Sequence, residues 1–206
     1  MKKHDVRTFS NDNSLVNKRR EEIVKAVTSL FIKNGYAKTT TREIAKSIGI
    51  SIGTLYHYIG SKEDILTLLS YDLYAWTKNY LDISSSDNTF ASAADKLRFY
   101  INQYSEYVSS NENLLLFWYQ EAKILKGEAR RLFFDSEQML INLFEKVLLE
   151  GKDSGEFKID DCTLMASNII VIFDMWAFKR YYLQKKYSVD EFVNKQISSI
   201  FSLILA

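Results

Sequence analysis

TTTREIAKSIGISIGTLYHY, residues 39–58, decides the fold of this chain. The stretch predicts two short helices joined by a turn through Gly49, which is the spacing of a helix-turn-helix. Thr40, with Glu43 three residues later, forms a capping box for the first helix, and Ser51 can cap the second. Gly49 can adopt the positive φ that such a turn requires. Apolar side chains fill the positions where the two helices cross: Ile44, Ala45, Ile48, Ile50 and Leu55.

The start of the second helix carries small and polar side chains. With Ser51 as its cap, Ile52, Gly53 and Thr54 form the first turn, which in a recognition helix faces base edges in the DNA major groove. Hydroxyl, imidazole and ammonium groups follow, and these would face phosphate oxygens, which fix register without reading sequence. They belong to Tyr56, His57, Tyr58 and Lys62. A solvated surface position remains an alternative for the histidine, and one of the two tyrosines could pack partly inward.

Helices are predicted through the rest of the chain as well. Its 206 residues include no proline and only seven glycines, and these two residue types are the usual breaks between elements. Apolar residues recur at helical spacing in every later segment, which favours an all-α fold. Capping signatures start two of the later helices, at Ser61 with Asp64 and at Ser188 with Glu191.

Charge is divided unevenly along the chain, although the net charge is only +1. Residues 1–62 hold 12 basic and 5 acidic side chains, whereas residues 63–206 hold 15 basic and 21 acidic ones. A basic segment ahead of an acidic body suggests that the first part meets a polyanion. We therefore expect a disordered tail at residues 1–13, a DNA-binding helix-turn-helix domain at 14–62 and a larger helical domain at 63–206.

The sequence argues against several functional classes. It has no glycine-rich phosphate loop, no His-x-x-x-His pair and no Gly-x-Ser-x-Gly elbow, so we expect neither an enzyme nor a bound cofactor or metal. Its longest apolar run, Leu114–Tyr119, is far shorter than the ~18 residues of a membrane span, so we expect no membrane segment. The polar N-terminus lacks the apolar core of a secretory signal, and the single Cys162 fits a reducing compartment. These features predict a cytoplasmic protein.

TTTREIAKSIGISIGTLYHYIGSKEDIL, residues 39–66, closely resembles the DNA-binding signature of the TetR family of bacterial transcription regulators. The resemblance extends over about residues 17–66. It implies an all-helical homodimer in which three N-terminal helices bind operator DNA and a larger C-terminal domain dimerises and holds a small-molecule effector. Ile59 departs from the family, which usually has an aromatic residue there. Because that site packs inside the small domain, the change bears on stability rather than on recognition.

The resemblance also implies which residues meet DNA. The base-facing positions are those of Arg42, Ile52, Gly53 and Thr54, and the phosphate-facing ones are those of Thr40, Ser51, Tyr56, His57, Tyr58 and Lys62. Ile52 and Gly53 offer no side-chain hydrogen bond, so base reading would depend on thymine methyl contact, on Arg42 and on DNA shape. We expect a sequence-specific repressor that binds double-stranded, palindromic operator DNA and is released by a small effector. A helical protein-interaction module without a DNA role is the alternative.

Aromatic residues crowd the middle helices, and the resemblance implies that some of them line an effector cavity. The expected lining residues are Tyr100, Gln103, Tyr104, Tyr107, Phe117, Trp118, Glu121, Phe134, Asn168 and Phe173. Aromatic residues at helical spacing fit a packed core equally well, so that alternative stays open.

The residue types suggest an apolar or aromatic effector. Residues 117–126 and 174–180 are similar to family members that sense acyl-coenzyme A thioesters. There, basic side chains would meet the phosphates of the coenzyme: Arg130, Arg131, Lys179 or Arg180. A drug-like or aromatic compound unrelated to acyl-coenzyme A is the alternative.

The last two helical segments are apolar on more than one face, which predicts that each needs several packing partners. The first runs from Thr163 to Gln184 and the second from Val189 to Leu205. A four-helix bundle made of both segments from two subunits would bury these faces, and it is also the usual dimer interface of the family. The expected core residues are Met175, Trp176, Ile197, Ile200 and Phe201. Packing of these residues within one subunit is the alternative.

Overall fold

The computed structural model of the chain describes residues 13–85 and 90–205. These residues form α-helices joined by short turns, so the predicted all-α fold is confirmed. An isolated antiparallel bridge joins Phe157 to Leu205. Within the described part of the chain, no helix is both long enough and apolar enough to cross a membrane. The predicted tail lies outside the described residues, except for Asn13, which begins the first helix.

The helices follow one another in the order that the capping signals predict. They are α1 Asn13–Asn34, α2 Thr41–Ser47, α3 Ile52–Tyr58, α4 Lys62–Ser85, α5 Ala93–Ser110, α6 Glu112–Glu121, a 3₁₀ turn Ala122–Ile124, α7 Gly127–Asp153, α8 Cys162–Phe178, α9 Arg180–Leu183 and α10 Val189–Ile204.

The chain forms two compact units. The N-terminal unit comprises the described residues up to Trp76 together with Phe117–Ser136, and the C-terminal unit comprises Thr77–Leu116 and the described residues from Glu137 onward. The N-terminal unit therefore extends beyond the segment 14–62 expected from the sequence. It gains the first half of α4 and the corner between α6 and α7.

The three predicted capping boxes are present. In each, the hydroxyl of the capping residue accepts from the backbone N–H three residues later, and the carboxylate there accepts from the backbone N–H of the cap. They are Thr40 with Glu43, Ser61 with Asp64, and Ser188 with Glu191. Gly49 has a φ of 70°, as the turn between α2 and α3 requires.

A small apolar core holds the first three helices together. Ile23, Val27 and Phe31 line one face of α1, and they are buried together with Ile44 and Ala45 of α2 and Leu55 of α3. Ile59 exposes none of its surface, which confirms that this position packs inside the unit. The outward faces of α2 and α3 stay free of this packing.

The C-terminal unit is built around the contacts of α5 with α8 and α10. Tyr100 and Phe144 meet edge to face, with ring centres 6.5 Å apart, and Tyr80 donates a hydrogen bond of 2.7 Å to the backbone oxygen of Tyr100. Tyr104 donates a bond of 2.6 Å to Asp174, a carboxylate that is only 1% exposed. Burial of these groups makes the interior of this unit polar in one place and aromatic elsewhere.

Candidate nucleic-acid interface

The first turn of α3 is anchored by a buried side chain and capped at its start. Leu55 is fully buried, and the hydroxyl of Ser51 accepts from the backbone N–H of Thr54 at 3.0 Å. The hydroxyls of these two residues also lie 2.8 Å apart. Gly53 and Thr54 are exposed and Ile52 is half-buried. The turn therefore offers a hydroxyl, an apolar edge and a stretch of bare backbone to an incoming surface.

Gly53 has a helical backbone and does not need its conformational freedom. A Cβ atom built there would approach the Ser51 hydroxyl no closer than 3.8 Å, which is ordinary van der Waals contact. The fold would therefore accept a larger residue at this position. The glycine leaves the backbone at this position accessible to an external group.

The start of α2 is joined to α3 by the hydrogen bond between Tyr56 and Thr41, and it is held by the capping box. Thr40 donates its hydroxyl to the Glu43 carboxylate at 2.8 Å, and the backbone N–H of Thr40 donates to the same carboxylate. These bonds lower the pKa of Glu43, with the backbone bond as the larger cause. Arg42, the adjacent residue of α2, is exposed. Arg42 thus places an exposed positive charge in the first turn of α2, next to the Thr40 cap.

The aromatic residues at the end of α3 have different surroundings. Tyr56 is 39% exposed and donates a hydrogen bond of 3.4 Å to Thr41, which ties α3 to α2. His57 is exposed and meets the half-buried ring of Tyr58 edge to face, with centres 5.5 Å apart. Tyr56 and His57 therefore keep surface for a partner, whereas Tyr58 lies partly inside, in line with the expectation that one tyrosine packs inward.

Arg20 holds the end of α3 against α1. Its Nε atom donates to the backbone oxygen of Tyr58 at 3.1 Å, and the residue is only 2% exposed. Burial is the largest cause of the lowered pKa of this guanidinium group. The sequence reading missed this role, although Arg20 shares a helix face with Ile23 and Val27, and that spacing was the available signal.

Lys62 points toward its own unit. Its Nζ atom donates to the backbone oxygen of Tyr36 at 2.5 Å and lies 4.0 Å from the centre of that ring. The residue is half-buried, and burial is the largest cause of its lowered pKa. A phosphate contact from Lys62 would have to use its remaining two N–H donors. Its place at the start of α4 is as predicted, but its principal described contact is internal.

The expected effector residues fall into both units. Phe117, Trp118, Glu121 and Phe134 belong to the N-terminal unit, and Tyr100, Gln103, Tyr104, Tyr107, Asn168 and Phe173 belong to the C-terminal one. Tyr100, Tyr104, Phe117, Trp118 and Phe173 are buried, whereas Phe134 and Asn168 are exposed. Asn168 therefore lies at the surface, and Phe134 is exposed at the edge of the aromatic packing, where its ring meets that of Phe133 with centres 5.3 Å apart.

A cluster of polar side chains in the C-terminal unit includes Glu137, which was not identified from the sequence. Burial raises the pKa of Glu137, and the charge of Asp174 adds to that effect. The same two causes raise the pKa of Tyr107. Glu137 is the half-buried residue after buried Ser136 on α7, and from the sequence alone an acid at such a position is interpreted as a surface residue.

Four of the five expected dimer residues pack within the single subunit. Trp176, Ile197, Ile200 and Phe201 are each at most 4% exposed, so they have no surface left to bury against a partner. This burial favours the alternative, packing within one subunit, because α8 and α10 contact each other and α5. Met175 is half-buried and keeps some surface. The apolar residues left exposed on these two helices are Leu164, Val171 and Leu203.

The basic residues considered for coenzyme phosphates differ in whether they already form ion pairs or hydrogen bonds within the protein. Arg131 pairs with Glu128 at 2.5 Å and with Asp135 at 3.1 Å, and Arg180 donates to Asn113 at 2.5 Å. Arg130 is exposed and lies over the ring of Phe134, and Lys179 is also exposed.

Two family models match the chain, and together they cover more than half of it. Residues 23–69 match the model described as bacterial regulatory proteins, tetR family. Residues 91–177 match the model described as tetracyclin repressor-like, C-terminal domain. The first match contains α2, α3 and the start of α4, and the second contains α5, α6, α7 and most of α8.

Individual proteins are similar to this chain along most of its length. The HTH-type transcriptional regulator HbdR of Aromatoleum sp. (strain CIB) is 27% identical over 195 residues, which are 92% of this chain and 82% of that protein. The fold is similar to AibR, solved in complex with isovaleryl coenzyme A and operator DNA, with a TM-score of 0.77, 17% identity, and coverage of 89% and 98% of the two chains. It is also similar to FadR from Bacillus subtilis in complex with stearoyl-CoA, with a TM-score of 0.70, 24% identity, and coverage of 88% and 97%.

Proposed function

The chain belongs to the TetR family of bacterial regulatory proteins, and we propose that it is a homodimeric repressor that an apolar effector releases from a palindromic operator. As a member of this family it is a DNA-binding transcriptional regulator and not an enzyme. Membership therefore decides against the interaction-module alternative. The operator contacts, the dimer and the effector make up the proposal.

The exposed first turn of α3 is the observation that carries the DNA contacts. Buried Leu55 and the Ser51 cap fix this turn, so Gly53 and Thr54 can enter a major groove without loss of internal packing. Thr54 brings a hydroxyl, Ile52 can meet a thymine methyl group, and Arg42 brings the guanidinium group that pairs best with guanine. Thr40, Ser51, Tyr56 and His57 border the turn and contact phosphates, with Tyr58 and Lys62 as partly buried supports.

A dimer brings two recognition helices to successive major grooves, about 34 Å apart. The exposed face of α8 is suited to this contact, since Leu164, Asn168 and Val171 lie on it and Met175 extends it by one turn. Asp160 and Asp161 precede the helix, and Lys179 and Arg180 follow it. If two copies of α8 pair in opposite directions about a two-fold axis, the acidic end of each lies opposite the basic end of the other.

Charge placed in the middle of that face tests the dimer. Val171→Arg should give a monomer with weak operator binding, because two like charges would meet near the axis. Leu149→Arg is the matched control, since Leu149 is also an exposed apolar residue, 44% against 53% for Val171, but lies on α7. Light scattering and sedimentation measure the mass. A dimer that survives Val171→Arg would contradict the proposed face.

An acyl-coenzyme A thioester is the proposed effector. The ligands of the AibR and FadR structures support this choice, as does the aromatic interior of both units. Arg130 of the N-terminal unit or, alternatively, Lys179 of the C-terminal unit is an exposed cation that can meet the coenzyme phosphates. An effector releases DNA only to the extent that it binds the two conformations of the protein with different affinities.

Selection from a random DNA pool tests the regulator directly. The purified protein should enrich a palindrome with half-sites about 10 base pairs apart, or a multiple of that, at physiological salt. Stearoyl-CoA and isovaleryl-CoA are then titrated into the complex with the selected DNA. Release by either thioester supports the effector class, and retention of the complex with both would contradict it. Failure to enrich any sequence would contradict the operator contacts themselves.

A further inference from the structure

Trp118 of α6 carries a buried hydrogen-bond donor without an acceptor. The residue is 2% exposed, and its Nε1 atom has no hydrogen-bond partner among residues 13–85 and 90–205. Buried tryptophans usually find such a partner. Trp176 does so, since its Nε1 atom donates to Glu112 at 2.8 Å and the residue is 3% exposed. The two tryptophans are therefore equally buried but differ in the satisfaction of their N–H group.

The aromatic rings that pack against Trp118 are phenyl rings. Phe117 and Phe133 have ring centres 5.3 Å and 5.4 Å from that of Trp118. Phe31 of α1 stacks on Phe117 at 5.6 Å with an angle of 15° between the rings. All of these residues are buried. A polar donor surrounded in this way is costly to the fold unless a ligand uses it.

We infer that the indole N–H of Trp118 donates to an uncharged carbonyl oxygen of the effector. This inference rests on the proposed function, because it assigns a part of the effector to a residue. The ligand atom must be an acceptor, since the indole N–H can only donate. A carboxylate is unsuited, because it would lose its hydration among phenyl rings in exchange for one hydrogen bond. A thioester and a ketone share the required chemistry.

The position of Trp118 connects such a ligand to the DNA-binding helices within the same unit. One turn further along α6, Glu121 accepts a hydrogen bond of 3.3 Å from the backbone N–H of Tyr36. Tyr36 lies in the turn that leads from α1 to the cap of α2, and its backbone oxygen accepts from Lys62. A carbonyl bound at Trp118 therefore lies one helical turn from the contact between Glu121 and Tyr36, in the turn that leads to α2.

A pair of ligands that differ only at the carbonyl tests the inference. Stearoyl-CoA is compared with S-octadecyl coenzyme A, the thioether of equal chain length that lacks the carbonyl oxygen. Calorimetric titration of the full chain without DNA should give a 3- to 10-fold preference for the thioester, roughly the value of one hydrogen bond. Trp118→Phe should remove this preference. Trp176→Phe, the matched truncation of a satisfied tryptophan, should retain it.

A second ligand pair distinguishes the source of the carbonyl. A steroid ketone and its deoxy analogue are titrated in the same way, and a preference confined to that pair assigns a ketone to Trp118. Equal affinities within both pairs for the unmodified chain, or a preference that survives Trp118→Phe, would overturn the inference. Because these affinities are measured without DNA, they are judged separately from the operator selection, whose failure concerns the proposed function alone.

Discussion

Helices α2 and α3 differ from helices α8 and α10 in length and in how much of their surface they bury. The first two have seven residues each and bury only Ile44, Ala45 and Leu55. The other two have 17 and 16 residues and bury seven and six side chains respectively. Short helices that must present most of their surface depend on caps and a few anchors, whereas long ones depend on packing. Exposure of α2 and α3 is what makes them available to DNA.

Removal of the anchor of α3 should have the largest effect. Leu55→Ala should lower the free energy of unfolding by about 2–5 kcal/mol, because Leu55 is fully buried, and should abolish operator binding. Ile200→Ala in α10 is the control, with a similar expected cost. Urea unfolding and gel retardation measure the two quantities. If Leu55→Ala bound the operator normally, the position of α3 would not depend on the burial of Leu55.

The N-terminal unit was largely predictable because its determinants are local in sequence. Gly49, the Thr40 capping box and the Ser51 cap act within a few residues, and each is present as predicted. The direction of Lys62 was not predictable, since it depends on the backbone oxygen of Tyr36, 26 residues away. The same holds for Arg20, whose acceptor on Tyr58 is 38 residues distant.

The C-terminal unit was less predictable because its helices are apolar on several faces. Periodicity identified α8 and α10 as helices but did not determine which face turns inward. Trp176 and Ile200 thus pack inside the subunit, although the sequence suggested an interface. Asn168 shows the reverse case, as it was expected in a pocket and lies exposed on α8. Partner choice among aromatic side chains is set by long-range contacts that a single sequence does not contain.

Two glycines of the recognition segment should respond in opposite directions. Gly49→Ala should destabilise the chain by about 1–2 kcal/mol, because alanine is strained at a φ of 70°. Gly53→Ala should instead stabilise it by about 0.5–1 kcal/mol, since the helix accepts a Cβ there. Operator affinity should nevertheless fall for Gly53→Ala. A variant that is more stable and binds equally well would separate Gly53 from the DNA surface.

The capping boxes at Thr40 and Ser188 allow the same substitution to be made at the start of α2 and at the start of α10. Thr40→Ala and Ser188→Ala should each cost about 1 kcal/mol of stability, since both remove the acceptor for the backbone N–H three residues later. Only Thr40→Ala should weaken operator binding, because α2 lies in the DNA-binding segment and α10 does not. Thermal unfolding and fluorescence anisotropy give the two readings. Equal losses of operator affinity in the two variants would show that the cap of α2 has no special role in DNA binding.

The smallest effect is expected in the C-terminal unit, where a largely buried carboxylate, Glu137, and a solvent-exposed one, Glu156, have pKa values shifted in opposite directions. Burial raises the pKa of Glu137, so its ionisation opposes folding above the ordinary value of 4.5. Glu137→Gln should therefore raise the melting temperature at pH 7 by a few degrees at most, and the gain should vanish below about pH 4. A loss of stability at pH 7 would mean that ionised Glu137 has a favourable partner.

Glu156 is the control for the sign of this effect. Its carboxylate accepts from the backbone N–H groups of Ala93 and Ala94 at 3.1 Å each, and the bond to Ala93 is the largest cause of its lowered pKa. Its contribution to stability is present above the unfolded pKa and is lost as the pH falls. Glu156→Gln should therefore lower the melting temperature at pH 7. Opposite responses to one substitution would show that the surroundings of each acid, and not its mere presence in an acidic unit, determine its effect.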